Sequence, residues 1–148
     1  MSLESKIMTD LKAAMKAKDQ AALRGIRAIK SAILLEKTSG SGKEISEADE
    51  IKMLQKLVKQ RKDSLEIYKK EGREELAAKE AEEIEVIQRY LPEQMSEAEL
   101  EKEVKAIIEE TGATSMKDMG KVMGIASKRF AGRAEGKAIS AKVKEILG

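Results

Sequence analysis

Cysteine and histidine are missing from this sequence of 148 residues, Pro92 is its one proline, and Tyr68, Tyr90 and Phe130 are its only aromatic residues. Without cysteine there is no disulfide framework. Without histidine there is neither a neutral-pH imidazole base nor the usual nitrogen ligand for zinc. Most familiar catalytic constellations are thereby excluded, and no cofactor or metal site is expected. The shortage of aromatic and β-branched residues in short alternating runs argues against a sheet protein. No run approaches the ~20 apolar residues of a membrane span, so no membrane partner is expected. The opening Met-Ser-Leu-Glu-Ser-Lys lacks the apolar core of a secretory leader, and the expected compartment is the cytoplasm.

What is present favours helix. Alanine, glutamate, lysine, leucine, isoleucine and methionine dominate, and the expected fold is all-α, with about four helices in residues 1–92 and a three-helix tail domain in 93–148. The length admits one domain or two small ones, and a tail of this size sits near the lower limit for independent folding. The net charge of +2, from 29 basic and 27 acidic residues, says little about partners. Its distribution says more: from Ala113 onward eight Lys or Arg residues face three acidic ones.

Ser2 and Asp19 are N-cap candidates for two helices, with Leu3, Ile7, Leu11, Ala14 and Met15 inward on the first and Ala22, Leu23, Ile26, Ile29, Ile33 and Leu34 on the second. Arg24, Arg27 and Lys30 make a basic strip on the second. Thr38-Ser-Gly-Ser-Gly42 reads as a flexible loop. Ser46 with Asp49 resembles a capping box ahead of a long helix to about Lys70, ended by Gly72. A fourth helix runs from about Glu74 to Tyr90. The third helix is rich in Lys and Arg and the fourth in Glu, so the two are expected to pair along their edges. Pro92 forces a stop by Leu91. Ser96 and Glu99 form a second box opening the fifth helix, which Gly112 closes. The sixth, after Ser115, places Met116, Met119, Val122, Met123, Ala126 and Phe130 on one side. The seventh runs from about Lys137 to Leu147.

The sixth helix concentrates the functional signals. Gly120 and Gly124 lie four apart, and since each glycine costs a helix about 1 kcal/mol relative to alanine, close approach of another helix, or of a partner's backbone or phosphate, is expected on that side. Gly132 is expected as a left-handed cap and Gly136 opens the last helix. Lys121, Lys128, Arg129, Arg133 and Lys137 stand around these turns. Helix ends supply free backbone N–H groups, glycine turns let a phosphate come near, and Lys and Arg add charge; together they read as an RNA-phosphate surface, against the plainer alternative of a solvated face. Shape recognition of a structured RNA needs no aromatic stacking. Lys59, Arg61 and Lys62 form a second basic patch, for which pairing with the acidic fourth helix is the plainer explanation. Glu80 with Glu83, and Asp118 with Lys121, are the carboxylates that could serve acid–base or metal chemistry, but carboxylates at helical spacing on a charged surface are usually solvated. No catalytic residues are assigned, and the isolated chain is not expected to be an enzyme.

The Tyr-Leu-Pro-Glu-Gln junction at 90–94, the Lys-Gln-Arg-Lys-Asp-Ser run at 59–64, Asp118-Met-Gly-Lys-Val-Met123 and the Gly-Arg-Ala-Glu-Gly turn at 132–136 together resemble the YqeY family over essentially the whole chain. The family's tail is similar to the C-terminal domain of the transamidating subunit of the glutamine-dependent tRNA amidotransferase. The resemblance implies an all-helical protein whose tail meets tRNA, through Lys121, Gly132, Arg133 and Gly136. Family labels of carbon–nitrogen ligase activity with glutamine as amido-nitrogen donor come from that kinship. The activity does not transfer, because the ammonia-producing and transamidation sites lie in parts with no counterpart in this chain. Glu135 departs from the aspartate usual before the second glycine, and as a longer side chain it should cap the last helix less well.

The expected partners are therefore tRNA, or an amidotransferase or aminoacyl-tRNA synthetase complex reached as an adaptor or as an accessory in amidation of mischarged tRNA. No oligomeric state is implied. The RNA reading requires the tail's cations to lie together and to be free of neighbouring glutamates.

Overall fold

The structure, a computed structural model, describes residues 2–39 and 44–148. It contains α1 (Leu3–Ala17), α2 (Gln20–Thr38), α3 (Glu47–Lys70), α4 (Glu74–Gln88), α5 (Glu97–Thr111), α6 (Met119–Arg129) and α7 (Gly136–Leu147), with a 3-10 turn at Met116–Asp118 and no strand among the described residues. The protein is all-α. The glycine-serine loop expected after Thr38 falls largely outside the described residues.

Local chemistry sets the helix ends. The Ser2 hydroxyl accepts from the Ser5 amide and the Asp19 carboxylate from the Ala22 amide. Ser46 and Asp49 satisfy one another's amides in a reciprocal box, and the box holds the Asp49 carboxyl below its ordinary range, chiefly through the Ser46 hydrogen bonds. Ser96 forms only the hydroxyl half of its box. Gly112 closes α5 at φ 69°, a left-handed conformation that costs glycine nothing. The sixth helix starts later than its sequence suggests, since residues 116–118 wind more tightly than an α-helix. It also ends at Arg129, so Gly132, at φ 77°, turns the chain beyond it instead of capping it.

The chain forms two compact units, Met1–Leu91 and Pro92–Gly148. In the first, α2 packs against α1, α3 and α4, burying Ile7, Ile26, Ile29, Leu54, Val58 and Ile87 in one aliphatic core. Gly25 sits where α2 meets α4. A methyl added there would lie 2.6 Å from Cγ1 of Val86, so only glycine permits this approach. Across the same contact the Arg24 guanidinium reaches Glu82 (2.6 Å), while Glu83 lies between Arg24 (3.8 Å) and Arg61 (3.3 Å). Tyr90, just past α4, donates its hydroxyl proton to Asp10 of α1.

In the second unit, Leu100, Val104 and Ile107 of α5, Val122, Ala126 and Phe130 around α6, and Ile139 and Val143 of α7 make a separate core. Lys142 threads its aliphatic stem along this unit at 6 % exposure and brings its ammonium to Glu145 (3.1 Å) and Glu97 (3.6 Å), which pins α7 to the start of α5.

Three large residues expected inside are not, and Ala81, expected inside on the fourth helix, is exposed as well. Met15 is 57 % exposed, Leu34 63 % and Met116 43 %. Met15 and Leu34 follow the buried Ala14 and Ile33 by one residue, about 100° further round their helices, where the apolar stripe runs past its covering neighbours. Met116 stands in the 3-10 turn, whose different period rotates it away from the α6 stripe.

Replacing Gly25 with alanine gains about 1 kcal/mol of helix propensity but overpacks against Val86, a term of ~1–3 kcal/mol, so a net loss of stability is expected. Thermal unfolding followed by circular dichroism should show a lowered Tm for Gly25→Ala, largely restored in the Gly25→Ala/Val86→Ala double variant. Burial and the hydrogen bond to Asp10 push the Tyr90 phenol well above its usual 10.0. Its contribution is therefore complete below pH ~10 and is lost as pH rises beyond that value. Tyr90→Phe should melt at a lower temperature than wild type at pH 8, with the difference shrinking in melts above pH ~10.

Candidate nucleic-acid interface

The residues singled out around α6 and α7 part into two groups. Arg129 lays its guanidinium on Glu110 of α5 through two parallel hydrogen bonds (3.2 and 2.7 Å), an arrangement that matches the planar fork to a carboxylate. The Glu110 carboxyl is held below its ordinary range chiefly by this bond, and Arg129 is held correspondingly high. Arg133 donates from Nε to the Glu93 carbonyl (3.0 Å) and from Nη2 to Glu99 (2.9 Å). That engagement explains the half-formed box at Ser96, because the Glu99 carboxylate is turned to Arg133.

Gly132 is buried, and its carbonyl accepts from the Gln94 side chain (2.7 Å). The Met95 amide donates to the Arg133 carbonyl (2.9 Å), so the 132–133 turn serves as the seat for residues 93–95. Arg129, Gly132 and Arg133 are thus internal fasteners of this unit. The corner built from both arginines and two glycine bends is corrected: its guanidiniums are locked into glutamates and one bend is covered.

The lysines behave differently. Lys121 and Lys128 are exposed on α6, and neither makes an ion pair among the described residues. Lys121, Gly124 and Lys128 recur at helical spacing on α6 and so share one side, while Lys117 is exposed in the 3-10 turn before it. Gly120 and Gly124 are exposed, and a methyl built on either would meet nothing within 4 Å. No described residue makes the close approach expected at these glycines; within this unit α5 and α7 cover the Val122 and Ala126 side of α6. Gly136 opens α7, also with nothing near its missing side chain, and exposed Lys137 follows it. Glu135 holds the N-cap position without a side-chain capping bond. Aligned peptide dipoles favour negative charge at this helix start.

The second basic patch is broken up in the same way. Arg61 gives itself to Glu83 and to the Leu57 carbonyl (3.0 Å), the pairing with α4 that its sequence made plausible, while Lys59 and Lys62 stay on the exposed side of α3. The carboxylates weighed for chemistry are accounted for structurally. Glu83 is ion-paired on both sides, and Asp118 accepts from the Thr114 amide (3.0 Å). Glu80 is pushed above its usual range first by burial and then by the neighbouring Glu83 charge. No group of three or more acidic side chains suited to a metal ion occurs among the described residues. Sequence reading missed the Arg24–Glu83–Arg61 array, having placed Arg24 on an outward basic strip. The signal was Gly25 beside it, a glycine inside an apolar stripe that marks where α4 comes close.

Loss of Arg133 removes a charge-assisted bond and a backbone anchor, so Arg133→Ala should lower the stability of this unit by about 1–2 kcal/mol. Alanine at Lys121 or Lys128 touches no internal contact and should stay within ~0.5 kcal/mol of wild type. Chemical denaturation of the single variants separates these outcomes.

Curated relatives carry a common name, "Altered inheritance of mitochondria protein 41, mitochondrial". The protein of Pyrenophora tritici-repentis is 33 % identical over 149 residues, covering 97 % of this chain and 80 % of that one. Those of Lachancea thermotolerans and Saccharomyces cerevisiae are 38 % and 35 % identical over 103 and 102 residues, 68 % of this chain. The alignments with these last two span 55 % of the length of each. The cytoplasmic expectation is corrected by these names. It rested on the lack of an apolar leader, which bears on secretion only, whereas mitochondrial leaders are amphipathic and basic. The Yqey-like protein family matches residues 4–147, and the chain belongs to that family.

Proposed function

We propose that this is a non-catalytic, tRNA-associated helical protein, in which residues 93–148 act as a three-helix tail domain of the kind shared with the transamidating subunit of the tRNA amidotransferase and residues 1–92 as the helical N-terminal domain. The tail meets backbone phosphates through Lys117 in the 3-10 turn, Lys121 and Lys128 on α6, and Lys137 and the Gly136 amide at the start of α7. The observation that carries this reading is the open side of α6: two exposed glycines with nothing within 4 Å of their missing side chains, flanked by lysines without carboxylate partners among the described residues. Phosphate contacts of this kind position an RNA without reading its bases, which suits a chain with almost no aromatic residues. Arg129 and Arg133 act indirectly, Arg129 by holding α5 to α6 and Arg133 by holding Glu93 and Glu99 to the turn that leads into α7.

Titration with tRNA is expected to show binding at low salt that weakens steeply as salt rises, because each neutralised phosphate releases counterions. The Lys121→Ala/Lys128→Ala/Lys137→Ala variant should weaken binding at least ~10-fold and flatten the salt slope by about one unit per lysine removed. Binding absent at low salt, or unchanged in the triple variant, overturns the reading.

A further inference from the structure

The first unit carries a surface of another kind. On α1, Met8, Lys12, Met15 and Lys16 lie at helical spacing on a side that borders the buried Leu3, Ile7 and Ala14, with Met8 and Met15 one residue past Ile7 and Ala14. On α2, Arg27, Lys30 and Leu34 do the same relative to Ile26, Ile29 and Ile33. The ion pair between Lys37 and Glu4 (2.6 Å) joins the end of α2 to the start of α1. One turn inward from that pair, Met8 follows Glu4 and Leu34 precedes Lys37, so the two rows fall on a common face. Three large apolar side chains stand out of it, Met8 at 41 % exposure together with Met15 and Leu34. Lys12, Lys16, Arg27 and Lys30 make no ion pair among the described residues. The only carboxylate in these rows, Glu4, is neutralised by Lys37.

We propose that this α1–α2 face docks the protein on an anionic lipid surface. Its cations meet the headgroups, and Met8, Met15 and Leu34 enter the boundary between headgroups and acyl chains. The lack of a spanning run, from which no membrane partner was expected, concerns crossing a bilayer; no helix among the described residues is long and apolar enough for that. Lying on its surface requires only exposed apolar side chains among free lysines and arginines. The same pairing of features disfavours the other occupants. Nucleic-acid phosphates would satisfy the cations and leave the methionine and leucine side chains in water. A second copy joined across a two-fold axis would set this cationic face against itself.

The test is co-sedimentation of the whole chain, at low ionic strength where surface charge is little screened. Vesicles of phosphatidylcholine are compared with vesicles of phosphatidylcholine mixed with phosphatidylglycerol. Binding to the mixed vesicles is expected to be at least ~10-fold stronger than to phosphatidylcholine alone. The Lys12→Gln/Lys16→Gln/Arg27→Gln/Lys30→Gln variant should remove that advantage. The Met8→Gln/Met15→Gln/Leu34→Gln variant should also weaken binding several-fold, with circular dichroism confirming an unchanged fold. No sedimentation with anionic vesicles overturns the proposal, as does an apolar variant that binds like wild type, since the contact would then be mere counter-ion attraction. If the α6–α7 lysine variant loses vesicle binding while both α1–α2 variants keep it, the lipid contact belongs to the second unit and this assignment fails independently of the tRNA reading.

Discussion

Guanidinium meeting carboxylate across a helix contact is the interaction on which both units depend. Arg24 and Arg61 hold α2 and α3 to α4 through Glu82 and Glu83, Arg129 holds α6 to α5 through Glu110, and Arg133 holds the 93–95 segment and Glu99 to the turn before α7. The cores beneath these pairs are aliphatic and small, with almost no aromatic residues to lock them. Exposed ion pairs are weak, but a fork that bonds two ways fixes orientation as well as distance. Lysine, a flexible point charge, is mostly left at the surface in this protein, and Lys142 is the instructive exception because its stem is packed and its ammonium bridges α5 and α7.

This division of labour decides what the basic segments can do. A census of charge from Ala113 onward suggests one cationic cluster. In three dimensions its arginines are consumed in joining helices, and what remains available to a partner is a set of lysines on α6 and α7. The glycines divide similarly. Gly25 is needed because Val86 presses on it, whereas Gly120 and Gly124 have open space before them. Identical residues at helical positions thus mark close internal packing in one unit and open space in the other.

The all-α fold was legible because it rests on short-range rules. Hydroxyl and carboxylate caps at Ser2, Asp19, Ser46 and Ser96, the glycines at 72 and 112, and the 3.6-residue recurrence of Ile, Leu and Val require no knowledge of neighbours. The site was less legible, because whether a cation is free depends on which acidic side chain sits across the gap. Nothing near Arg129 in sequence announces Glu110, nor does Arg133 announce Glu99. The edges of the apolar stripes failed for a related reason: periodicity gives a direction on a helix, while the width of the covered arc is set by the partner helices, which leave Met15 and Leu34 outside.

The fastening of Gln94 and Met95 onto the 132–133 turn bears on where the second unit begins as a physical object. Its first helix starts only at Glu97, yet the Gly132 carbonyl, the Arg133 carbonyl and the Arg133 guanidinium all find their complements upstream of it, at Gln94, Met95 and Glu93. A fragment trimmed to the helical boundary would leave a buried acceptor bare and an arginine half unanchored. The irreducible piece therefore reaches back to the proline, and five residues that look like tether are masonry.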